Sequence, residues 1–82
     1  MKLYHISQSE AKGYDTFSDM VVCAESEEEA RNIHPSHWND NPWKEDNFGV
    51  WCKSPDQVTV EYLGEAAEDI EKGVICSSFH AG

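Results

Sequence analysis

Residues 19–35, DMVVCAESEEEARNIHP, run an apolar strand straight into a capped helix, and this junction constrains the fold more than any other stretch. Met20, Val21, Val22, Cys23 and Ala24 are continuously apolar, so both faces of the strand are expected to be covered. Ser26 and Glu29 have the spacing of a capping box. The Ser26 hydroxyl accepts from the Glu29 amide, and the Glu29 carboxylate accepts in return from the Ser26 amide. Glu27, Glu28 and Glu29 fill the first turn, where the positive end of the helix dipole favours anions, and Arg31 lies nearer the negative end. Ala30 and Ile33 form a narrow apolar stripe. Pro35 is expected to end the helix at His34 after about two turns, too short to persist without packing on a sheet.

The rest of the chain is strand-like with irregular connections. Residues 2–7 form a first strand, and the polar segment 8–18, QSEAKGYDTFS, joins it to the strand at Met20 as an antiparallel hairpin with a long loop. Residues 34–47, HPSHWNDNPWKEDN, have no period and read as an irregular loop of functional length. Strand character resumes at 48–53, FGVWCK. After a turn at Ser54-Pro55-Asp56 it resumes again at 58–63, where Val58, Val60 and Tyr62 are expected to face inward. Residues 65–72 fit either a short helix capped by Gly73 or an acidic loop, and 73–79 form the last strand. The expected fold is α+β. It is a single small domain spanning 1–82, an antiparallel sheet of four to five strands in the order β-β-α-β-β-β with one short helix on one face. One helix cannot cover both faces of such a sheet, so the tryptophan loop or a second subunit is expected on the other; a homo-oligomer, preferably a dimer, follows.

Charge and cysteine usage narrow the function classes. Sixteen acidic residues against six basic give a formal charge of −10. This field opposes direct nucleic-acid binding and attachment to anionic membranes, and suits solubility or an acidic face that meets a basic protein. The three cysteines are odd in number and widely spaced, which is no disulfide framework. Cys23 and Cys76 lie in apolar runs and read as core thiols in a reducing cytoplasm. The first residues, MKLYHISQ, lack the apolar run of a signal peptide, and no stretch approaches the ~20 apolar residues of a membrane helix.

No arrangement of residues identifies a catalyst. Phosphate-loop, dinucleotide and nucleophile-elbow motifs are absent from the sequence, so neither a cofactor nor catalytic residues are expected. His34 and His37 are three apart but split by Pro35, and no CxxC accompanies them, so no metal site is expected. Trp38, Trp43 and Trp51 are large flat side chains that serve either as core or as platforms for a base or a partner groove. SSFHAG at 77–82 gathers Ser77, Ser78 and His80, groups that bind phosphate or ribose without bulk charge when they are not simply a frayed end.

The segments KLYHISQ, GYDTFSDMVVCAESEEEARNIHPS, VEYLG and GVICSSFHAG resemble a family of small uncharacterised proteins encoded by phages and prophages. The resemblance covers most of the chain except 38–57, and it carries over no catalytic or ligand residue. Members carry Asn where this chain has His80, which argues against an essential imidazole there. A phage accessory protein in the host bacterial cytoplasm implies antagonism of host defence. Two mechanisms then follow. The first is a non-enzymatic sponge for a nucleotide-derived immune signal. The second is an acidic inhibitor, comparable to anti-CRISPR proteins, covering the basic nucleic-acid site of a host defence protein; a plain structural or regulatory phage protein is the third possibility. For the sponge, the first and last strands are expected to pair, bringing Tyr4, Ser7 and Gln8 toward Ser77, Ser78 and His80. Tyr14, Asp15, His34, Trp38 and Trp43 would close over the ligand, and Arg31, Lys44 or Lys53 would offset its phosphates.

Overall fold

The computed structural model describes residues 1–11, 13, 16–36, 43 and 50–80, the side chains of Phe79 and His80 excepted. The expectations placed on Tyr14, Asp15, Trp38 and Lys44 lie outside the described residues. Four strands form one antiparallel sheet: β1 (Lys2–Ser7), β2 (Thr16–Ala24), β3 (Thr59–Glu65) and β4 (Gly73–His80), ordered β3-β1-β2-β4. A short helix, α1 (Glu27–Arg31), follows β2, and a 3-10 turn at Pro55–Gln57 leads into β3. The α+β architecture is therefore as the sequence implies, with β2 and β1 central.

The register explains where the core lies. Tyr4 pairs with Val22 and Ile6 with Met20, so the buried side chains of β1 and β2 share one face. Ala24 continues that row, and Ala30 of α1 packs over it. Trp51, Cys52 and Val58 complete the same cluster, with Trp43 half-buried against its edge. Burial of each large apolar side chain contributes about 1.5–3 kcal/mol, so Trp51, Ile6, Met20 and Val22 dominate what holds the sheet to its cover.

Residues 50–53 are irregular, with bends at Val50, Trp51 and Lys53, and are not part of the strand expected at 48–53; Phe48 and Gly49 lie outside the described residues. The physical reason is visible at Trp51 and Cys52, which are adjacent and both buried. Neighbours in a strand point to opposite faces, so two consecutive buried side chains on a single-sided cover require a bent backbone. The Phe17 amide donates to the Val50 carbonyl at 2.9 Å and ties this segment to β2.

The cap of α1 is realised in an altered form. Ser26 is the N-cap, and its hydroxyl accepts from the Glu29 amide at 3.2 Å. The Glu29 carboxylate reaches one residue further back than a capping box requires, accepting from the Glu25 amide at 2.9 Å. The helix closes at Asn32, before Pro35 can act. The Asn32 side chain donates to the Glu28 carbonyl at 2.8 Å, and the Ile33 amide donates to Ala30. Residues 66–72 hold a turn closed by the Ile70 amide on Ala67, not a helix, and Gly73 opens β4 with φ +133°, a conformation suited to glycine.

Two inward assignments and one strand pairing are corrected. Tyr62 is more than half exposed because β3 is an edge strand; its ring meets Tyr4 edge-on at 5.8 Å and its hydroxyl donates to Glu65 at 2.6 Å. Cys76 is exposed because β4 is the other edge, whereas Cys23 and Cys52 are buried. The first and last strands do not pair, since β2 lies between them.

Candidate functional site

The second face of the sheet is where polar chemistry collects. Leu3, His5 and Ser7 of β1 alternate with the core residues and stand opposite Cys23, Val21 and Asp19 of β2. On β4, Cys76 pairs with Val21 and Ser78 with Asp19. The strand alternation therefore sets Ser7, Asp19 and Ser78 in one row and His5, Val21 and Cys76 in the next. Among the described residues no helix or strand packs on this face. Met1 covers one end, its sulfur 4.0 Å from the Cys23 thiol.

A shallow, open hollow of about 150 Å³ lies here, lined by His5, Asp19, Met20, Val21, Cys76, Ser77 and Ser78. His5 Nε2 is 2.8 Å from Asp19 Oδ2, and the Ser18 hydroxyl donates to Asp19 Oδ1 at 2.9 Å. Both side chains of the His5–Asp19 pair are about one-third exposed, at 34% and 39%. Glu61 of β3 is paired in register with His5 on the other side of β1. Cys76 is two strand spacings from His5, about 10 Å, which is beyond the hydrogen-bond reach a thiol–imidazole pair needs.

The residues singled out in the sequence separate into groups. Ser77 and Ser78 line the hollow. His80 lies at the end of β4, opposite Thr16, with its side chain outside the description. Tyr4 is on the core face. Gln8 is buried in the loop that follows β1, where its amide nitrogen donates to the Ala11 and Phe17 carbonyls and its oxygen accepts from the Glu10 and Ala11 amides. The Arg31 guanidinium donates to the Pro55 carbonyl at 3.3 Å and to the Val58 carbonyl, and lies 3.6 Å from Glu27. That arrangement fastens α1 to the 3-10 turn. His34 is buried, with Nδ1 accepting from the Ser36 amide at 3.0 Å and Trp43 edge-on at 4.8 Å. Trp43 in turn donates to the Asn32 carbonyl at 2.9 Å.

His5 and Asp19 were not singled out, although a signal was present. In KLYHIS the polar residues His5 and Ser7 share the parity opposite to Tyr4 and Ile6, which marks them as one face. Their meeting with Asp19 depends on the hairpin register, which the loop sequence does not specify.

Among the described residues no group of three or more His, Cys, Asp or Glu side chains is placed to hold a metal ion, and no helix is long and apolar enough to cross a membrane. No family model, curated protein or solved structure matches this chain. The site's chemistry thus rests on its own groups: a carboxylate held by an imidazole and a hydroxyl, with further serines across the hollow.

Proposed function

We propose that this protein is a non-enzymatic binder of a small nucleotide-derived signal, a phage- or prophage-encoded sponge that antagonises host defence in the bacterial cytoplasm. The observation that carries the reading is the hollow on the sheet face where no described helix or strand packs: its lining is largely apolar, and His5, Asp19 and Ser78 bring polar groups to it from three different strands. A carboxylate flanked by hydroxyls suits the vicinal hydroxyls of a ribose, which donate to it as they do to the acidic residue of dinucleotide sites. At about 150 Å³ the hollow matches a sugar, whereas whole ligand sites are typically about 300–1,000 Å³, so base and phosphate would extend across Val21 and Cys76. Asp19 and Glu61 disfavour a highly phosphorylated ligand, so an ADP-ribose derivative is preferred over a cyclic dinucleotide.

The test is a thermal-shift screen against ADP-ribose-type compounds and cyclic dinucleotides. A ligand at a hundredfold excess over Kd stabilises the fold by about 2.7 kcal/mol. Asp19→Asn and Ser78→Ala should remove that shift. If no nucleotide raises the melting temperature and none co-purifies from infected cells, the sponge reading is lost.

A second reading is favoured by one observation, the charge of −10 on 82 residues. An acidic inhibitor of a basic host protein would bind in a salt-sensitive way. Reversing Glu27 and Glu28 to Lys would abolish its effect, while leaving a sponge intact.

A further inference from the structure

The two edges of the sheet differ in how they are defended. Exposed edge strands present unpaired amides and carbonyls, and proteins blunt them with charge, proline or bulges. β3, TVEYLGE, carries Glu61 and Glu65 and a bulge where its register with β1 shifts between Leu3 and Tyr4. β4, GVICSSFH, is eight residues long and holds no Asp, Glu, Lys, Arg or Pro. The chain has 22 such charged side chains, so an uncharged edge of this length stands out against the rest of its sequence. Its register with β2 shifts twice, between Phe17 and Asp19 and between Val21 and Val22, and the second shift leaves Ile75 between the paired Val74 and Cys76, so this edge is irregular but carries no charge. Ile75 is 46% exposed, an apolar side chain displayed on the strand that carries no charge.

We propose that the edge of β4 pairs antiparallel with the β4 edge of a second copy, joining two four-stranded sheets into one. The occupant follows from charge. Two chains of −10 repel over most of their surfaces, and they approach at least cost where neither carries charge. A basic partner, by contrast, would gain nothing at β4 over the acidic remainder of the molecule. A two-fold axis perpendicular to the sheet keeps the same face outward in both copies. The two hollows, each walled by Cys76, Ser77 and Ser78 of β4, then lie on one surface on either side of the seam. For the nucleotide reading, on which this consequence rests, the second copy lengthens a hollow that alone matches only a sugar.

Cys76 provides the test without altering the protein. It is the exposed cysteine, near the middle of β4, while Cys23 and Cys52 are buried. A short bis-maleimide added to the native protein should give a dimer band that Cys76→Ser abolishes, and light scattering should return twice 9.3 kDa. Ile75→Lys, at an exposed position that need not disturb the core, should convert the dimer to monomer with an unchanged circular dichroism spectrum. A 9.3 kDa species at every concentration overturns the proposal. So does a dimer that neither links through Cys76 nor responds to Ile75→Lys. A β4-linked dimer that takes no nucleotide leaves the seam standing and removes the sponge reading. A monomer that binds nucleotide tightly does the reverse.

Discussion

Ser26 and Glu29 fix where the helix starts, and each does so through one hydrogen bond to an otherwise orphaned backbone amide. Ser26→Ala should therefore cost about 0.5–2 kcal/mol, the usual range for a lost N-cap, read as a lower denaturant midpoint with an unchanged slope. Glu29 adds a pH dependence. Its carboxyl is held below the ordinary glutamate range chiefly by the Glu25 amide; desolvation opposes this, and Lys72, 3.2 Å away, adds a lesser lowering. A depressed folded-state pKa gives stability that is present above the unfolded value and lost as pH falls through the folded one. Melting curves of the wild type and Glu29→Gln should thus differ at neutral pH and converge on acidification below the glutamate range. Gln8 tests whether a polar residue in a suggestive motif is structural. Its amide closes the loop after β1 with both donors and its oxygen engaged, so Gln8→Ala should lower the melting temperature even without ligand. Lost nucleotide affinity at an unchanged melting temperature would instead make Gln8 a ligand group.

At the level of elements, Arg31 joins α1 to the turn before β3 by donating to two carbonyls, with Glu27 alongside. Arg31→Ala should cost about 1.5–3 kcal/mol, the range for hydrogen bonds to a charged group, and Arg31→Lys should recover little of it because the guanidinium divides the work, Nη1 to both carbonyls and Nη2 toward Glu27, whereas an ammonium has one nitrogen for all three. Equal stability of the lysine variant would show that only the charge matters. The same residue shows what the sequence could and could not convey. Its helix was legible, since Ser26 and the run of glutamates are local signals that act within one turn. Its partners Pro55 and Val58 are 24 and 27 residues away, and no local pattern encodes them. The strands divide in the same way. The extent of β1 is set by alternation alone, while β2 begins at Thr16, four residues before its apolar run, because pairing with β4 extends it. For the site, Ser77 and Ser78 were visible as a polar strand end. The hollow they line needed β2 between the first and last strands, a matter of sheet order that the sequence pattern does not address.

The described residues form an acidic domain with one packed face, one face on which no described helix or strand packs, and one edge strand without Asp, Glu, Lys or Arg. Its sequence pI of about 4.5 makes electrostatics the largest difference between the partners it could take. Salt acts in opposite directions on them. Between two copies that meet at β4, the long-range term is repulsive, and screening removes it: the Debye length falls from about 10 Å at 0.1 M to about 3 Å at 1 M. Dimerisation should therefore strengthen with added salt. A complex with a basic host protein is attractive at long range and should weaken over the same interval. Sedimentation equilibrium of the protein alone from 0.05 to about 1 M sodium chloride, the interval over which that screening sets in, measures the first effect directly. The apparent dimer dissociation constant should fall steadily and level off once the two charges of −10 no longer sense each other. A dissociation constant that rises with salt would mean that the seam is held by ion pairs, which an edge without Asp, Glu, Lys or Arg cannot supply, and the interface would have to be sought elsewhere on the surface.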